Sequence, residues 1–248
     1  MQGGFEGILT AIELDRRDCA HEAAFALTYD GKHDLKPPPA RFRAYLLDIA
    51  QQATRSRRRG VDLVAAFASD VVTDNNGNTK PTALHFTAGQ QQFLKMATEL
   101  CAATNGDDLR EALLGPWRYE RSLPVMGWDA TTARDYALRA SDPATDKKQG
   151  VPGADWLAIR GLPAVPVAPR SDRLLTAGCV GGWKTGRFRW GLWSSPIERA
   201  TVRSLMRLDV EGMTSPERNA RGIAIVLSCG IKRSDQGGYG SFEPATVI

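Results

Sequence analysis

The chain predicts an α+β fold, with a helical N-terminal half packed on a mixed or antiparallel sheet that includes a hairpin from the C-terminal half. Three observations carry this. Apolar residues recur at helical spacing across most of the stretch from 40 to 114. Prolines then crowd the sequence, at 143, 152, 163, 166 and 169, and short apolar runs replace the long periodic ones. Finally, Arg187, Phe188, Arg189 and Trp190 alternate basic and aromatic side chains, as a strand with two different faces does. At 248 residues the chain is long enough for a substantial core. It reads as one α+β domain spanning 1–248, with a helical subregion at 37–115.

The elements follow in order. Phe5 to Leu14 and Ala23 to Tyr29 read as short strands, and Tyr29-Asp30-Gly31-Lys32 as a turn. The prolines at 37, 38 and 39 prepare a helix, since proline suits only a first turn. That helix is expected over Ala40 to Arg59, with Phe42, Tyr45, Leu46, Ile49 and Ala53 on one face. It would end in the basic run Arg55, Arg57, Arg58 and Arg59, with Gly60 just beyond it. Val61 to Phe67 reads as a further short helix, and Thr73 to Pro81 as a polar loop. Ala88 to Ala102 and Asp107 to Leu114 read as helices, the second closed by Gly115-Pro116.

In the second half, Asp142 to Gly153 reads as an exposed loop and Ala154 to Arg160 as one or two helical turns. Leu174 to Val180 and Arg187 to Leu192 are expected to pair across Gly181 to Gly186. Glu198 to Leu208 reads as a helix, Gly222 to Cys229 as an apolar strand, and Gly237 to Gly240 as a flexible turn. The sequence has no internal repeat.

Composition sets bounds on function. The formal net charge of +4 permits a polyanionic partner without demanding one. Cys19, Cys101, Cys179 and Cys229 are far apart and form no CxxC pair, so the expectation is four reduced thiols and no structural metal. No apolar run reaches transmembrane length, and the first residues lack the order of a signal peptide. The expected setting is soluble and cytoplasmic, with no membrane partner.

Four constellations carry chemistry. The stretch Gly181 to Trp193 sets Lys184, Arg187 and Arg189 beside Trp183 and Trp190, a pattern suited to phosphates and stacked bases. The competing explanation makes Trp183, Phe188, Trp190 and Trp193 core residues and leaves the arginines solvated. The arginines at 55, 57, 58 and 59 are a second phosphate candidate, or else a solubilising helix end. Lys80, in the Asn-rich loop after Asp74, is a third, although positive-φ turn chemistry is the favoured explanation of that loop. The fourth is catalytic and incomplete. His33-Asp34 lacks the further histidines of a metal phosphohydrolase, and the Cys179–His85 pairing rests on no spacing. Gly181 to Thr185 lacks phosphate-loop spacing, while Asp70 and Asp74 are a lone carboxylate pair. No catalytic residue, metal ligand or cofactor is assigned.

Several segments together resemble a protein family encoded in type I-G (formerly I-U) CRISPR–Cas loci. They are Asp34–Pro39, Asp74–Gln91, Arg134–Ala140, Val151–Ala158, Gly181–Lys184 and Gly237–Phe242, so the likeness runs from about Asp34 to the C-terminus. The family's members begin with a longer strand–helix segment that residues 1–15 do not show. The resemblance implies a non-catalytic accessory or large-subunit-like component beside an RNA-guided complex. Such a protein would touch guide RNA, target DNA or a neighbouring CRISPR-complex subunit. The leading expectation is therefore a nucleic-acid-binding subunit of an antiviral defence ribonucleoprotein. The alternatives are an adaptor that joins subunits without touching nucleic acid, and a metal-dependent nuclease using Asp70 and Asp74.

Overall fold

The computed structural model describes residues 4–19, 21–54, 58–87, 89–132, 149–234 and 239–248. The chain opens with a helix, α1 (Gly4–Cys19), where a strand was expected. Phe5, Ile8, Leu9 and Ile12 have the i, i+3, i+4, i+7 spacing of a helix, and that period governs over the short apolar cluster they form. Leu9 and Cys19 are buried, with Phe5 and Ile12 packed beside them. The second expected strand is a single 3₁₀ turn, Ala23–Phe25, followed by irregular chain that buries Leu27. The turn from Tyr29 to Lys32 forms as expected, closed by reciprocal backbone bonds of 3.0 and 2.7 Å.

Helix α2 (Pro39–Gln52) starts on proline and buries Phe42, Tyr45 and Ile49. It stops earlier than the sequence suggested. Arg59 and Gly60 instead open α3 (Arg59–Phe67), with Arg58 at the cap position. Cations at a helix start oppose the macrodipole. Two carboxylates offset this: Asp62 lies 3.4 Å from Arg58, and Asp15 of α1 pairs with Arg59. Arg55 and Arg57 lie outside the described residues, as do Arg134–Ala140, most of the expected loop 142–153, and Gly237 and Gly238.

The expected polar loop is a small antiparallel hairpin, β1 (Ala68–Thr73) and β2 (Thr79–Pro81). Asp74 shapes its tip, its Oδ1 accepting from the N–H groups of Asn76 (2.9 Å) and Asn78 (3.0 Å). Helix α4 (Phe93–Ala103) begins later than expected and buries Phe93, Leu94, Met96, Ala97, Leu100 and Cys101. Helix α5 (Gly106–Leu114) is fixed by a reciprocal capping box between Asn105 and Asp108. Helix α6 (Pro152–Gly161) packs against α5 so closely that a Cβ on Gly153 would overlap the Asp108 carbonyl. Cys19 and Cys101 form a disulfide joining α1 to α4, which corrects the expectation of four free thiols; Cys179 and Cys229 are free.

The second half is mostly sheet. β3 (Val167–Arg170) and β4 (Arg173–Thr176) form a separate hairpin. β5 (Cys179–Val180), β6 (Arg187–Trp193), β7 (Ile223–Arg233) and β8 (Gly240–Phe242) pair antiparallel in that order, and β9 (Thr246–Val247) also pairs with β7. The expected pairing of 174–180 with 187–192 is therefore split, because Ala177-Gly178 bends the chain out of the first hairpin and into the sheet. Between β6 and β7 lie α7 (Arg199–Leu205) and α8 (Ser215–Ala220).

The helices and the inner side of the sheet share one large core, to which Phe188, Trp190 and Phe242 contribute. A small second core gathers Val210, Ile223 and Val226 with Trp193. The chain is thus α+β, with a helical N-terminal half and antiparallel hairpins in the C-terminal half, as its sequence predicts.

Candidate nucleic-acid interface

Strand alternation divides β6 into two sets of side chains. Phe188 and Trp190 face the main core; their rings stack at 5.6 Å, and Phe188 stacks on Phe242 at 5.9 Å. Arg187 and Arg189 take the other face, where the segment after α7 folds over them. Arg189 is only 8% exposed, and its Nη1 donates to Asp209 (3.0 Å) and Glu211 (2.6 Å). Arg187 Nη2 donates to both oxygens of Glu211, at 3.1 and 3.0 Å, and remains half exposed. These arginines clamp residues 209–211 onto the sheet. Trp190 serves the core and Arg189 serves the clamp.

Trp183 differs from the other aromatics of this stretch, with 58% of its surface exposed. The loop that carries it turns at Gly181, where φ is +85° and a Cβ would strike the Thr185 carbonyl. Thr185 Oγ1 accepts from the Gly182 N–H at 3.1 Å and closes the loop. One face of the indole is covered by the Arg233 guanidinium, 4.6 Å from the ring centroid. The same guanidinium sits 4.8 Å over Phe86. Its Nη1 donates to the His85 carbonyl (2.8 Å) and its Nη2 to the Ala83 carbonyl (2.6 Å). Burial depresses the Arg233 pKa to about 10, which leaves it cationic at neutral pH. Trp183 therefore has a rigid cationic backing on one face and solvent on the other. That is the geometry of a stacking platform.

Beside the platform runs a groove of about 530 Å³ between the Lys184–Arg187 turn, the end of β7 and residues 243–248. Among the described residues, Lys184, Arg187, Lys232 and Arg233 line it, against one acidic side chain, Glu243. Lys184 and Lys232 are exposed. The structure thus brings together Lys184, Arg187 and Trp183 from the sequence-derived set. Lys80, half-buried on β2 opposite Ser69, and Arg58 and Arg59 on α3 line no part of this groove.

Sequence reasoning missed Lys232, Arg233 and Phe86. The Lys-Arg pair follows directly on an apolar run, but the expected strand stopped at Cys229, and the groove came into view only once β7 ran on to Arg233. It also missed Arg170 and Arg173, which lie directly opposite one another at the exposed tip of the β3–β4 hairpin. Like charges placed opposite repel, and neither has an ion-pair partner among the described residues. Both arginines are exposed at that tip.

The catalytic candidates occupy structural positions. His85 is buried, its Nε2 3.1 Å from Asp34 Oδ1 and 2.9 Å from Thr87 Oγ1, and burial lowers its pKa. Burial raises that of Asp34, but His85 and the N–H of Phe93 outweigh it and leave the carboxyl below its ordinary value. Asp70 pairs with Arg43 at 2.6 Å, and Asp74 holds its own loop. Burial pushes the Cys179 thiol up to about 12, far from a thiolate at neutral pH. Among the described residues no group of three or more His, Cys, Asp or Glu side chains is placed to hold a metal ion. Among them, too, no helix is long and apolar enough to cross a membrane. No family model, curated protein or solved structure matches the chain.

Proposed function

We propose that the protein is a non-catalytic nucleic-acid-binding subunit of an RNA-guided, CRISPR-type defence complex. The observation that carries the binding part is the Trp183 platform, backed by Arg233 and set at the rim of a groove with four cationic side chains. Phosphates would lie along Lys184, Arg187 and Lys232 while a base stacks on the open face of Trp183. The defence-complex context rests on the resemblance described above. Fluorescence anisotropy with labelled single- and double-stranded DNA and RNA tests the binding. Affinity should fall with added salt and fall again in a Lys184→Ala/Lys232→Ala variant. Absence of binding to all four at low salt overturns the proposal.

A second reading, an adaptor, is favoured by one feature. Leu192 and Ile225 are exposed directly opposite each other on β6 and β7, and Val247 on β9 lies opposite Leu227. This apolar strip suits a protein partner. Salt-insensitive co-purification with other subunits, lost in Leu192→Ser/Ile225→Ser, would support it.

A further inference from the structure

Behind the sheet lies a second cavity, of about 360 Å³, with walls of a different chemistry from the cationic groove. Its walls are aromatic: Trp117, Trp128, Phe188, Trp190 and Phe242. The Trp128 N–H is committed to the Leu84 carbonyl at 2.8 Å, so this residue offers ring surface rather than a donor. Into this cavity α6 projects Asp155, which is only 6% exposed. Its Oδ2 accepts from the Met126 N–H at 3.2 Å; no donor among the described residues reaches its Oδ1. Such a half-satisfied carboxylate on an apolar floor is costly unless something completes it.

The chemistry of what completes it is narrow. Among the described residues, the other acidic side chains on the lining are Asp129 and Glu243, and no Lys, Arg or His lines the cavity. A phosphate or carboxylate would be repelled. A hard metal ion needs six or more oxygen ligands, which the aromatic walls do not supply. A cation whose body is apolar or flat satisfies both parts at once, with charge and donors toward Asp155 and its body against the ring faces. The volume is at the lower end for ligand pockets and suits a head group rather than a large molecule.

We infer that this cavity is a binding site for an organic cation, an alkylammonium or guanidinium head group. The cavity lies on the Phe188–Trp190 side of β6 and shares only Glu243 with the lining of the cationic groove. A free small cation and the side chain of a bound protein present the same chemistry.

The test is calorimetric titration of the full chain with choline, with N-acetyl-arginine amide, and with the neutral carbon isostere of choline. At about pH 8.5, at least one cation should bind at least tenfold more tightly than the neutral isostere. Preference for choline identifies a small ammonium, and preference for the arginine derivative a side chain. Asp155→Asn keeps an acceptor for Met126 and should weaken binding about tenfold or more. Trp117→Ala, at the exposed mouth, should weaken it severalfold without disturbing the core.

Lowering the pH to about 5.5 should weaken binding in the wild type and not in Asp155→Asn. Asp129, Glu243 and Cys229 also face the cavity and are common to both proteins, so they cancel in this comparison. Lack of saturable binding of any cation up to roughly 10 mM would overturn the inference, as would equal affinity for choline and its neutral isostere. Undiminished binding by Asp155→Asn would do the same.

Discussion

Replacing Asp155 by Asn should make the protein more stable at high pH. Burial raises the Asp155 pKa from 3.8 to about 7, with the charge of Asp129 adding to the rise and the Met126 N–H opposing it. The folded chain therefore holds this proton more tightly than the unfolded chain. Its contribution to stability is fully present below about pH 4 and is lost as pH rises through about 7. A shift of roughly three units corresponds to an upper bound on the order of 4 kcal/mol. Asn titrates at neither end, and its side-chain oxygen can still accept from Met126. Urea unfolding of both proteins at about pH 5 and about pH 8.5 isolates the effect. The variant should gain about 2–3 kcal/mol relative to the wild type between the two, a midpoint change on the order of 1 M urea. Parallel pH profiles would refute the burial argument, because they would mean that Asp155 is solvated when charged.

The remaining predictions concern the ties that hold the site in place. Arg189→Ala removes a buried guanidinium from Asp209 and Glu211 and should cost about 2 kcal/mol by chemical denaturation, less than the roughly 3–5 kcal/mol of a fully buried pair because both carboxylates reach solvent. Arg187→Ala, half exposed, should cost less than about 1 kcal/mol in the same assay. Asp62 is buried and receives Arg58, Arg199 and Arg203. Its replacement by Asn should cost about 2–3 kcal/mol and speed hydrogen exchange in α7, read by mass spectrometry. The Cys19–Cys101 disulfide predicts two titratable thiols in denaturant without reductant and four after reduction. Reduction should lower stability by about 2–4 kcal/mol.

Much of the fold could be read from local pattern. Helices α2, α4 and α5 were legible because Phe42, Tyr45 and Ile49, or Phe93, Met96, Ala97 and Leu100, repeat at a spacing that only a helix turns to one side. Sheet pairing was much less so. The main partner of β6 is β7, beyond two intervening helices, and no local signal marks that register. The same non-locality hid the site. Asp209 and Glu211 fold back over the sheet and turn one apparent phosphate ligand, Arg189, into a buried clamp, while Arg187 stays half exposed. Arg233 arrives from the far end of β7 to back Trp183. Composition singled out the stretch from Gly181 to Trp193, but tertiary contact decided which of its residues faces outward.

The central claim is that Trp183 offers an open stacking face beside a cationic groove. Its most direct measurement is the affinity of single-stranded nucleic acid for the wild type, Trp183→Phe and Trp183→Ala by fluorescence anisotropy at fixed low salt. Loss of the ring should weaken binding by roughly ten- to a hundredfold, while Phe retains most of the affinity. Equal affinity for all three proteins, with folding intact, would contradict the claim.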